Sequence, residues 1–154
     1  MKFLCLSYQD VIRKVIKKYW NLQISILIYC SIGIHPEYTD SYTEEDLKFL
    51  ESCLCQSKVV AIGEIGLDYH YSKENKELQK ELFEKQLMVA SKYSLPVVIH
   101  SRDATEDTLT ILKKYPEVKG VIHSFSGSLE VAQMYIKMGY KLGINGVVTF
   151  KNSH

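Results

Sequence analysis

The 154-residue sequence predicts an α/β fold with a parallel sheet, and two observations carry that expectation. Short, continuous apolar runs rich in β-branched residues occur at 59–62, 97–99 and 120–122, as in strands buried on both faces. The segments between them repeat apolar residues at helical spacing and begin with capping residues. Strands separated by helices make repeated βα units, and these build a parallel sheet. A doubly wound sheet and a (β/α) barrel satisfy the pattern equally, and both place functional groups at the carboxyl ends of strands.

The elements follow in order. An apolar stretch at 24–34 is the first strand candidate. Thr43 followed by Glu44, Glu45 and Asp46 predicts a capped helix start, with acids at the positive end of the dipole. Leu47, Leu50 and Leu54 then recur at helical spacing. The run Val59, Val60, Ala61, Ile62 is a strand ending at Gly63. Residues 73–94 predict a long helix with Leu78, Leu82, Phe83, Leu87 and Ala90 facing inward, stopped at Leu95 and Pro96. After the strand at 97–99, Asp103 is expected to cap a helix carrying Leu109 and Leu112, which Pro116 ends. Beyond the strand at 120–122, Ser128 caps a helix with Val131, Ala132, Tyr135 and Ile136 inward, closed by Gly139. Residues 140–148 read as a last strand.

Composition narrows the function classes. Hydrophobic residues make up 46% and charged residues 24%, which suits one folded domain. Nineteen basic residues against eighteen acidic ones leave a net charge of +1, without the broad basic footprint of non-specific nucleic-acid binders. Any grip on phosphate must be local, through a few side chains and metal ions. The apolar run at 22–34 is broken by Gln23, Ser25, Ser31 and Gly33, short of the ~18 residues a spanning helix needs. The N-terminal apolar run is too short for a secretory core of about 7–15 residues, so neither leader nor membrane span is expected. Cys5, Cys30, Cys53 and Cys55 lack zinc-finger spacing and read as reduced, packed thiols of an intracellular protein.

Three potential ligands stand at the ends of three successive strand candidates: Glu64 after 59–63, His100 after 97–99 and His123 after 120–122. Positions of this kind converge on one mouth of a parallel sheet or barrel. Two imidazoles and a carboxylate suit a divalent cation. A histidine ending a buried strand is more often a hydrogen-bonded core residue, and a glutamate there more often a solvated loop residue; three at matching places favour a site. Arg102 lies two residues past His100, where its planar guanidinium suits a phosphate and, equally, a surface ion pair. Asp68 is placed to orient a ligand histidine, although a turn-forming aspartate is the simpler account. His35, before Pro36, is expected in the turn after a strand.

At these residues the sequence resembles the TatD-related deoxyribonucleases, members of the amidohydrolase-like metal-dependent hydrolases. The matching words are Ser31-Ile-Gly-Ile-His-Pro36, Ala61-Ile-Gly-Glu-Ile-Gly-Leu-Asp-Tyr69, Leu95-Pro-Val-Val-Ile-His-Ser-Arg-Asp-Ala104, Gly120-Val-Ile-His-Ser-Phe-Ser-Gly127 and Gly146-Val-Val-Thr-Phe-Lys-Asn152. Gln79, Phe83, Gln86 and Ala90 match the family's helix before the third word. The resemblance implies a TIM-type barrel and metal-dependent hydrolysis of phosphodiester bonds, typically in DNA. It implies two divalent ions (Mg, Mn or Zn), with Glu64 bridging both and His100 and His123 holding the second. Arg102 would bind and position the phosphate, and Glu64, Asp68 and Arg102 would form the catalytic set. Alternatives are an amidohydrolase-like reaction on a small ester or amide, and a non-catalytic fragment.

The sequence departs from the family pattern in two places. The His-x-His word that opens the family is absent, and so is the later aspartate strand. Residues 1–30 are therefore expected as an atypical segment, with a helix at 10–19 and inserted residues at 22–28. Residues 31–154 are expected as a partial barrel, truncated at the C-terminus, with about five of the eight parallel strands. Such a chain should bind at most one divalent ion, with DNA as the substrate of the intact protein, no protein partner evident and a cytoplasmic or nuclear location.

Overall fold

A computed structural model describes residues 2–5, 28–70 and 74–149. Six parallel strands form a single sheet among these residues: β1 (Lys2–Cys5), β2 (Ile28–Ile32), β3 (Val59–Asp68), β4 (Val97–Arg102), β5 (Gly120–Ile122) and β6 (Lys141–Leu142). Their spatial order is their order in sequence, β1-β2-β3-β4-β5-β6. A doubly wound sheet reverses direction at a switch point, whereas a barrel adds each strand beside the last. The unbroken order settles the alternative: the chain is a partial TIM-type barrel.

Among the described residues the α-helices are α1 (Glu44–Cys53), α2 (Lys76–Tyr93), α3 (Thr105–Lys113) and α4 (Leu129–Lys137). Thr43 and Asp46 close a reciprocal capping box on α1, Thr43 accepting the Asp46 N–H and Asp46 accepting the Thr43 N–H. Ser94 ends α2 in the left-handed conformation, before Pro96 forbids further helix. Ser128 caps α4 by accepting the Val131 N–H, and Gly139 closes it with a φ of 87°. The core lies between the helices and the sheet. Leu82, Phe83, Leu87 and Ala90 of α2 are buried, with Ile62, Ile65 and Leu67 of β3 and Ile99 of β4 in the same cluster. Burying each large side chain of this kind stabilises the fold by about 1.5–3 kcal/mol.

Several expectations need correction. The sheet has one strand more than the five expected, because Lys2–Cys5 pairs in parallel with Ile28–Ile32. Only Lys141–Leu142 of the expected strand at 140–148 joins the sheet, and Gly146–Thr149 forms a 3-10 turn. Leu78 and Ile136 are exposed, not inward. Asp103 does not cap α3: its carboxylate bonds to the ring of His70, and Ala104 holds the cap position without a side-chain bond. Cys30, Cys53 and Cys55 are free thiols, and Cys55 is exposed instead of packed. The helix at 10–19, the insert at 22–28 apart from Ile28, and residues 24–27 of the first strand candidate lie outside the described residues. Among the described residues, no helix is long and apolar enough to cross a membrane.

Candidate metal centre

The site begins with an irregularity in β3. Gly63 pairs with Val98 and Ile65 with Ile99, so the register shifts by one residue at Glu64. A bulge of this kind re-aims a side chain, and here it frees Glu64 from the in-out alternation of the strand. The glycines on either side permit close approach of β4. A Cβ on Gly63 would come within 2.5 Å of Val98 Cβ, and one on Gly66, whose φ is 138°, within 2.0 Å of the His100 carbonyl oxygen.

That approach brings His100 between two carboxylates. Its Nδ1 lies 3.0 Å from Glu64 Oε1 and its Nε2 lies 2.8 Å from Asp68 Oδ2. Asp68 also accepts the His70 N–H at 2.9 Å. His35, past the end of β2, sets its ring against that of His100 with centroids 4.5 Å apart. His35, Glu64 and His100 each offer a ligand atom, and these atoms lie within 4.8 Å of one another. All three side chains are partly buried, open enough for an ion to enter and sheltered enough to hold it.

The electrostatics suit a cation. Burial alone would push the Glu64 carboxyl up; the His100 hydrogen bond and the nearby charges of His123, His100 and His35 outweigh it and hold the group below its ordinary value. Asp68 is likewise pushed up by burial but held low by His100, the His70 N–H and the charge of Arg102. Both carboxylates are thus ionised at neutral pH. For His35, burial and the neighbouring His100 favour the neutral ring, which keeps a lone pair available. Its Nδ1 accepts the Glu37 N–H at 3.3 Å, and the Glu37 carboxylate lies 3.7 Å from the same nitrogen. Burial opposes charge on His100 too, but its bonds to Glu64 and Asp68 prevail and raise its pKa.

The remaining candidates fall around this group. His123 follows β5, and its N–H donates to the Ile99 carbonyl at 2.8 Å, which ties it to β4. Its exposed side chain is outside the set of three but acts on Glu64 through charge. Arg102 ends β4 beside Asp68 in the register and is exposed at the rim. Asp68 is 3% exposed and ends β3, where its carboxylate makes both kinds of contact: Oδ1 accepts the His70 N–H two residues on, as a turn-forming aspartate does, and Oδ2 lies against His100 Nε2. His35 was missed as a member of the group, although it follows a strand candidate just as His100 and His123 do.

Comparison with known proteins assigns the family. The model of the TatD-related DNase family matches residues 5–154. The chain belongs to that family. It is similar to proteins described as uncharacterized metal-dependent hydrolases. YabD of Bacillus subtilis is 49% identical over 128 residues, covering 82% of this chain and 50% of YabD. YjjV of Escherichia coli K12 is 37% identical over 126 residues, covering 80% of this chain and 49% of YjjV. The crystal structure of YjjV, described as a TatD homolog, superposes with a TM-score of 0.85 at 32% identity, covering 96% of this chain and 57% of that one. A TatD family hydrolase from Entamoeba histolytica gives 0.74 at 31% identity, covering 92% and 51%. The chain thus spans about half the length of these TatD relatives.

Proposed function

We propose that this chain carries part of the divalent-metal site of a phosphodiesterase that acts on DNA. The observation that carries the reading is the convergence of His35, Glu64 and His100, with Asp68 bonded behind His100. The donor set fits a divalent ion, because imidazole nitrogen and carboxylate oxygen are its common protein ligands. Glu64 and His100 are the ligands proposed first, with His35 and His123 beside them. When bound, a divalent cation supplies Lewis acidity and positive charge for phosphodiester hydrolysis.

The protein's own groups have separable tasks. Asp68 accepts the Nε2 proton of neutral His100, which leaves the Nδ1 lone pair on the Glu64 side. Glu64 contributes negative charge at the mouth. Arg102 presents a planar fork to a phosphate oxygen pair, a geometry lysine does not reproduce. The free thiols Cys30, Cys53 and Cys55 suit a reducing compartment, and we place the protein in the cytoplasm, with the nucleus as the other such compartment.

The test is digestion of an end-labelled single-stranded DNA oligomer with manganese. It is run with the chain alone and with a chimera that adds the part of YjjV this chain does not span. Cleavage by the chimera that stops with chelator and with His100→Ala is expected. Cleavage that survives His100→Ala, or a folded chimera that hydrolyses carboxylic esters and leaves DNA intact, overturns the proposal.

A further inference from the structure

We infer that Gln79 and Gln86 are positioning residues of the metal site, each gripping with one buried amide the backbone of a strand-end residue that bears or precedes a site side chain. The inference rests on the metal-site reading above. Both residues lie on α2, seven positions apart, which puts them on one face two turns apart. They are 2% and 0% exposed. A buried glutamine is costly unless its amide is fully bonded, and leucine would pack the same helix face without that cost.

Each amide makes a two-point contact. Gln86 Oε1 accepts the Ile34 N–H at 2.7 Å, and its Nε2 donates to the Ile34 carbonyl at 3.0 Å. Gln79 Oε1 accepts the Asp68 N–H at 2.8 Å, and its Nε2 donates to the Asp68 carbonyl at 2.9 Å. The second Nε2 proton of Gln79 goes to Asn75 Oδ1 at 2.8 Å, and Asn75 in turn donates to the Asp40 carboxylate at 3.1 Å. Both amide protons of Gln79 are committed, so its orientation follows from its partners.

The places gripped explain the choice. β2 ends at Ile32, so Ile34 has no strand neighbour for its N–H and carbonyl. Ile34 directly precedes His35. Tyr69 donates its N–H to Arg102 of β4, so the polar groups of Asp68 face the other flank, where the ladder has stopped. Asp68 carries the carboxylate that holds His100 Nε2. Each glutamine therefore acts as a rung beyond the end of the sheet and sets the height and angle of one site residue.

The experiment compares Gln79→Leu and Gln86→Leu with Phe83→Leu, a packing change between them on the same buried face. Each 154-residue chain is titrated with manganese by calorimetry, and amide exchange is followed at Ile34 and Asp68. The glutamine variants should bind manganese about tenfold more weakly and exchange the gripped amide about tenfold faster, while Phe83→Leu at a similar melting temperature stays within about threefold on both. Gln79→Glu supplies an independent signature. Its carboxylate accepts the Asp68 N–H but donates nothing, whereas its protonated form restores both contacts, so Asp68 protection should recover as pH falls. Wild-type affinity in both leucine variants, or equal weakening in Phe83→Leu, overturns the inference. A parent chain that binds no manganese overturns the metal-site reading instead. In that event exchange still decides, since Ile34 and Asp68 amides no faster in the glutamine variants than in Phe83→Leu count against the grip.

Discussion

Asp68 and His100 form a 2.8 Å bond through the ring nitrogen opposite the one that faces Glu64. A carboxylate behind a ligand histidine selects its tautomer and makes it more basic. Asp68→Asn keeps the size of the side chain and removes that charge. Manganese or zinc affinity should fall about 10–100-fold in calorimetry, with the melting temperature little changed. Unchanged affinity would remove Asp68 from the site.

The same pair sets a pH dependence. The pKa of His100 is raised against the opposing effect of burial by its bonds to Glu64 and Asp68. Its charged form therefore stabilises the fold fully below the ordinary histidine value, and this contribution disappears as pH rises through the raised one. A metal ion and that proton compete for the ring. Metal affinity should keep rising with pH above the ordinary histidine range, and in Asp68→Asn the rise should shift to lower pH. Affinity that is flat from pH 6 to 8 in both chains would contradict the assignment.

Gly66→Ala tests the close approach that places His100. The added methyl would sit 2.0 Å from the His100 carbonyl oxygen on a backbone with φ of 138°. Urea denaturation should show a loss of about 2–4 kcal/mol, from the clash and the left-handed backbone together. Gly146→Ala, with no atom of the described residues within 4 Å of the new Cβ, is the matched control and should change stability by less than about 0.5 kcal/mol.

Thr43→Ala separates helix stability from the site. Loss of the capping box should cost about 1 kcal/mol in thermal or chemical denaturation. Metal affinity should stay that of the parent, because α1 contributes no member of the His35, Glu64 and His100 group.

Much of this was legible in the sequence, for physical reasons that also explain what was not. Buried parallel strands are continuous apolar runs, so β3, β4 and β5 stood out; Glu64 and His100 were read as strand-end residues, whereas β3 runs on to Asp68 and β4 to Arg102, and only His123 follows its strand. The Thr43 cap and the Ser128 cap are local chemistry and were read directly. β1 was missed because four residues carry no periodicity and its pairing with Ile28–Ile32 is a long-range contact. Gln79 and Gln86 matched the family helix, but their task did not show: a polar residue in a helix reads as a solvated face, and only the ends of β2 and β3 reveal the backbone groups they serve. Leu78 was placed inward by the same reasoning, while Gln79 holds that inner position. His35 was read as a turn residue, and it does cap the turn at Pro36–Tyr38 while its ring faces His100.

The most direct measurement is manganese binding to the 154-residue chain by calorimetry, beside Glu64→Gln and His100→Ala, each checked for an unchanged melting temperature. The account predicts one ion bound by the parent and loss of that binding in both variants while the fold persists. Manganese bound with the parent's affinity by folded Glu64→Gln and folded His100→Ala would contradict it.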